Sequence, residues 1–174
     1  PSSRSPIRVT KPSRASDSRR QREETVDLDS YAPIQRELVL ELPSDLDSIE
    51  HAVEFVMRRC QPCGAGDERL RLNFRVGLTE ALSNAIRYGN GTDPHKRVRM
   101  EIEVRQCSLT ARITDEGHGF DPTGIPDPTT PQNLLKPGGR GLFLMRKLLD
   151  EVRYNDRGNS VTLVLRFTDG PGTR

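Results

Sequence analysis

The chain has 174 residues, with 27 Lys/Arg against 25 Asp/Glu for a net charge of +2, one third of its residues hydrophobic and few of them aromatic. This length predicts one domain with a tail. No apolar run reaches the length of a membrane span and no signal-peptide pattern opens the chain, so a cytoplasmic protein without a membrane partner is expected. Charge is uneven, +4 over residues 1–24 and −2 over the rest. The body is neither basic nor threaded with aromatics, which argues against direct nucleic-acid binding.

Residues 1–33 are rich in Ser, Arg and Pro and show no apolar period. Such a segment buries too little surface to offset its ordering entropy, so it is expected to be a mostly disordered basic tail. The folded domain is placed at 34–169, followed by a short C-terminal tail at 170–174. Arg36-Glu-Leu-Val-Leu-Glu-Leu42 alternates and predicts a half-buried strand ended by Pro43. Ser44 with Asp47 three positions on reads as a capping-box helix start. Leu46, Ile49, Val53 and Val56 then share one helical face up to about Cys60. A turn over 61–67 leads to a second helix from about Glu68 to Tyr88. Its buried stripe is Leu70, Phe74, Leu78, Ala81, Leu82 and Ala85, and Gly89-Asn-Gly91 stops it.

Val98–Val104 and Leu109–Thr114 alternate as strands joined by a tight turn at Gln106–Ser108. Residues 120–140 hold five prolines and no apolar period; a loop of that length is usually functional or disordered. Leu142, Met145, Leu148 and Leu149 have helical spacing. Two strands follow, near Glu151–Asn155 and Ser160–Phe167, with the turn Asp156-Arg-Gly-Asn159 between them. The order points to an α+β fold: a two-layer sandwich of a mixed, mostly antiparallel sheet covered on one face by helices.

Three cysteines make an odd count, and Cys60-Gln-Pro-Cys63 has no second ligand pair for a zinc site, so the default is two thiols at a helix-to-loop junction. Three other patches hold unexpected residues. Glu80 and Asn84 lie four apart on the second helix, beside the apolar stripe. An amide oxygen there could ligate Mg²⁺ and a carboxylate could take a proton; the same spacing fits a boundary pair that only hydrogen-bond each other. Asp115 ends a strand that runs into Glu-Gly117-His-Gly119. The glycines let backbone approach a flat ligand, and the carboxylate could accept from an exocyclic amine, although the segment also fits an ordinary turn. Pro137-Gly-Gly139-Arg140-Gly141 ends the long loop where a helix begins, and free N–H groups with a nearby cation favour phosphate; a glycine hinge is compatible with that role. The P-loop and nucleophile-elbow patterns do not occur, and Gly117-His-Gly-Phe-Asp-Pro122 breaks the dinucleotide fingerprint at its third glycine.

In order, Glu80…Asn84, Asp115-x-Gly117-x-Gly119 and Gly139-x-Gly141 resemble the N, G1 and G2 boxes of the GHKL (Bergerat-fold) ATPases related to gyrase, Hsp90, histidine kinases and MutL. Thr-Glu80-Ala-Leu-Ser-Asn84-Ala, Asp115-Glu-Gly-His-Gly-Phe120 and Gly139-Arg-Gly-Leu-Phe-Leu-Met145 most closely resemble the anti-sigma-factor serine/threonine kinases of bacterial partner-switching systems, over residues 36–168. The resemblance implies ATP and Mg²⁺ as cofactors. It implies that Asp115 binds the adenine amino group, with Gly117 and Gly119 letting backbone approach the base. Asn84 would ligate Mg²⁺ and Glu80 would be the general base. Residues 121–140 would form a lid, with Gly139, Arg140 and Gly141 at the phosphates. The implied partners are a sigma factor and a sulfate-transporter/anti-sigma-type (STAS) antagonist that is phosphorylated on Ser or Thr; a homodimer is an open alternative to a monomer. Tyr88 stands where relatives often have histidine, and the lid is unusually rich in proline.

Two other functional classes fit parts of the chain. A nucleotide-gated binding module would keep Asp115 and the glycines without catalysis, although the presence of Glu80 speaks against it. A histidine-kinase catalytic domain is disfavoured because residues 44–67 are too short for a phosphoacceptor hairpin and His51 is followed by alanine.

Overall fold

A computed structural model describes residues 8–10, 36–60, 68–105, 108–122 and 140–166. Six strands form one sheet: β1 Arg8–Thr10, β2 Arg36–Pro43, β3 Arg97–Arg105, β4 Ser108–Asp115, β5 Glu151–Tyr154 and β6 Ser160–Arg166, in the spatial order β1-β2-β3-β4-β6-β5. Among the described residues all five pairings are antiparallel, in keeping with the expected mostly antiparallel sheet. Three helices complete the α+β sandwich: α1 Asp47–Cys60, α2 Arg75–Asn84 and α3 Arg140–Leu148.

Period-two alternation explains the layering. Leu40 and Leu42 of β2, Val98, Met100, Ile102 and Val104 of β3, Leu109, Ala111 and Ile113 of β4, and Val161, Leu163 and Leu165 of β6 are all buried in one cluster with the apolar stripes of the helices. The opposite face carries interleaved charge: Arg99 bridges to Glu101 at 3.0 Å, Arg112 to the same carboxylate at 3.6 Å, and Arg105 to Glu103 at 2.8 Å. The predicted α2 stripe is buried at every one of its positions, Leu70, Phe74, Leu78, Ala81, Leu82 and Ala85.

Local details differ from the sequence reading at three places. Helix α1 is not capped by Ser44: the Asp45 carboxylate accepts the Asp47 N–H at 3.1 Å, while Ser44 is buried and accepts from Asn90 at 2.6 Å. The long second helix is α-helical only in its middle, with π-helical turns at Leu70–Phe74 and Ala85–Gly89. Within the segment expected to be a disordered tail, Arg8–Thr10 pair with Glu41–Val39 as an edge strand. Cys63, Gly139, the Gln106 turn and most of the predicted lid lie outside the described residues.

Candidate nucleotide pocket

The alternation that buries Leu109, Ala111 and Ile113 also aims Asp115, the next residue in phase, under the helical layer at the end of β4. Above it, the π-turn Ala85–Gly89 is closed by the Asn90 N–H donating to the Ala85 carbonyl at 2.7 Å. An i→i+5 turn takes up an extra residue and is common at functional sites. Here it sets Gly89 directly against Asp115, since a Cβ on Gly89 would collide with that carboxylate and one on Gly117 with the Gly89 carbonyl.

A cavity of about 580 Å³ opens between this sheet end and α2/α3. Its walls include Glu80, Asn84, Asp115, Gly119, Arg140 and Gly141, so six of the eight residues singled out from the sequence meet in one space. Gly117 is buried just behind Asp115 and donates its N–H to Asp115 Oδ1 at 2.8 Å. Gly139 lies outside the described residues. Helix α3 enters close over α2: a Cβ on Gly141 would come within 2.6 Å of Glu80 Oε2 and 3.5 Å of Asn84 Nδ2. The lining combines the polar side chains of Glu80, Asn84 and Arg140 with Asp115, Ile113, Val161, Phe120 and Tyr154. Among the described residues, no three His, Cys, Asp or Glu side chains cluster to hold a metal.

Burial raises the pKa of Asp115 above its ordinary 3.8, against the opposing pull of the Gly117 N–H and the charges of Lys96 and Arg157. Burial likewise pushes Tyr154 up to about 12, with a further upward contribution from Asp115, so its hydroxyl stays protonated at neutral pH. The Tyr154 ring meets Phe120 edge-on, centroids 5.1 Å apart.

The sequence reading missed the β5–β6 hairpin as part of this site. Asn159 accepts the Asp115 N–H through its carbonyl and donates its side-chain amide to the Asp115 carbonyl, both at 3.0 Å. Arg157 donates to the Gly117 carbonyl at 3.1 Å. Two left-handed glycines interlock the hairpin with the glycine turn: a Cβ on Gly119 (φ +80°) would strike the Arg157 carbonyl, and one on Gly158 (φ +75°) the Phe120 carbonyl. The Asp-Arg-Gly-Asn turn was visible in the sequence, but its partner across the sheet was not.

The family described as a histidine kinase-like ATPase domain matches residues 42–165. The serine-protein kinase RsbW of Bacillus subtilis is 27% identical over 104 residues, covering 56% of this chain and 65% of that protein. The RsbW proteins of Oceanobacillus iheyensis (25% identical; 55% and 64% covered) and Listeria monocytogenes (26%; 52% and 62%) are similar to comparable extents. The matches thus span slightly under two thirds of these relatives' length. With residues 42–165 matched by that family and a cavity at the end of an antiparallel sheet, the chain belongs to the histidine kinase-like ATPase domain family.

Proposed function

We propose that this protein is an ATP-dependent serine/threonine protein kinase that acts as an anti-sigma factor, binding a sigma factor and phosphorylating a STAS-type antagonist. The carrying observation is that Glu80, Asn84 and Asp115 face one cavity. In this reading the adenine amine donates to Asp115, and Gly117 and Gly119 leave room for the base. Arg140 and Gly141, the first two residues of α3, lie at the phosphates in this reading. The Asn84 amide oxygen would hold Mg²⁺, which would supply charge neutralisation for the phosphates. Glu80 takes the proton of a Ser or Thr hydroxyl. The freed oxygen bonds to the γ-phosphorus, the bond to the β–γ bridging oxygen breaks, and ADP leaves. Phosphoryl transfer asks for little beyond this positioning and charge neutralisation. Leu72, Val76 and Leu144 are exposed and give a protein partner apolar surface on the helical layer.

The test uses γ-labelled ATP and the candidate antagonist encoded next to this protein. Glu80→Ala is expected to keep its nucleotide affinity and to lose about 10²-fold or more in transfer, the usual contribution of a general base. Transfer at the wild-type rate in that variant would remove Glu80 from the mechanism. Unchanged ATP affinity in Asp115→Asn would remove the adenine assignment.

A further inference from the structure

Asn90 is the most deeply buried polar side chain among the described residues, 2% exposed, and it does not line the cavity. Its amide nonetheless ties together four separate segments. Nδ2 donates to Ser44 Oγ before α1, at 2.6 Å, and to the Arg97 carbonyl at the start of β3, at 2.9 Å. Oδ1 accepts the N–H of Glu116 at 2.8 Å, and the main-chain N–H closes the π-turn. A carbonyl can only accept and a main-chain N–H can only donate, so these partners fix which way the amide points. Glu116 is the residue between Asp115 and Gly117, and its own carboxylate accepts the Arg97 N–H at 2.9 Å. The peptide that carries Asp115 into the glycine turn is therefore held from Asn90 on one side and from the Asn159 hairpin on the other.

We infer that Asn90 is a positioning residue for base recognition: it fixes the Glu116 peptide and, through its neighbour Gly89, the seat of the Asp115 carboxylate. The amide supplies two N–H donors and an acceptor at this spot, where a hydroxyl has a single donor. Aspartate would set an oxygen against the Arg97 carbonyl, and an apolar residue would leave the Ser44, Arg97 and Glu116 groups without their partner. Two residues on, Thr92 sits at φ 57°, an unfavourable region for a β-branched residue, which shows how tightly the surrounding contacts define this loop.

The inference rests on the adenine reading of Asp115, and the test separates the two. Affinities of the full chain are measured for ATP and for purine riboside triphosphate, which lacks the 6-amino group. Wild type is expected to prefer ATP by about 10- to 100-fold, the worth of one hydrogen bond to a charged group. Asn90→Ala is expected to bind both nucleotides with a preference below about threefold. Asn90→Ser, too short to reach Glu116 but still polar in the buried site, serves with the same expectation should the alanine variant fold poorly. A purely structural role would lower the folded fraction and weaken both nucleotides alike, leaving the ratio at its wild-type value; that result overturns the inference. A wild-type protein that does not discriminate overturns the adenine assignment beneath it.

Discussion

The Asp115 carboxylate sits half-buried at a strand end, where folding makes its charged form harder to keep. Its folded-state pKa lies above the ordinary 3.8, so its contribution to stability is greatest below that pH and is lost as pH rises through the folded-state value. Asp115→Asn is therefore expected to melt at a higher temperature than wild type at pH 7, with the gap closing as pH falls toward 3.8. Melting curves across that range check it; a lower Tm for the variant at pH 7 would show that the charge stabilises the fold. The same residue was legible in the sequence because it ends a strand that runs straight into the Gly117 and Gly119 turn. Asn90 was read only as part of a helix stop, since its partners Ser44, Arg97 and Glu116 are brought to it by folding.

At the level of elements, the strands could be read directly because one face is buried and the other charged. The π-turns could not be read, because Ala85–Gly89 has an ordinary helical composition and its widening is visible only in the Asn90-to-Ala85 bond. The misplaced cap has a similar origin: Ser44 and Asp45 are both good capping residues, and burial of Ser44 under Asn90 decides between them. The β5–β6 hairpin offers a controlled test of how elements build the pocket. Gly158→Ala combines left-handed strain of about 1–2 kcal/mol with a collision at the Phe120 carbonyl. It is expected to lower both Tm and nucleotide affinity. Gly91→Ala (φ +65°) has the same backbone penalty, but its Cβ would meet nothing within 4 Å. It is expected to lower Tm while leaving nucleotide affinity intact. Equal affinities in the two variants would mean that the hairpin does not shape the base end of the cavity.

Across the whole molecule, the helices and the cavity occupy one side of a sheet whose other side is a lattice of ion pairs. Exposed pairs of this kind are individually weak; their mixed signs make that face a poor partner for another apolar or singly charged surface. The sheet's margins are a different matter. Val9 is the one strong apolar residue of β1, and the pairing of Arg8–Thr10 with β2 is made by main-chain groups, so no side-chain pattern announced it. The strand covers the Val39–Glu41 part of the β2 border of the sheet. Deleting residues 1–35 would take away that cover and leave the outward main-chain groups of Val39–Glu41 without their β1 partners, a template on which foreign strands add. The shortened protein is expected to form concentration-dependent higher-mass species in light scattering, and an unaltered mass would show that border to be harmless. The short Arg8–Thr10 strand would then act as a hem, keeping one copy of the sheet from being stitched to the next.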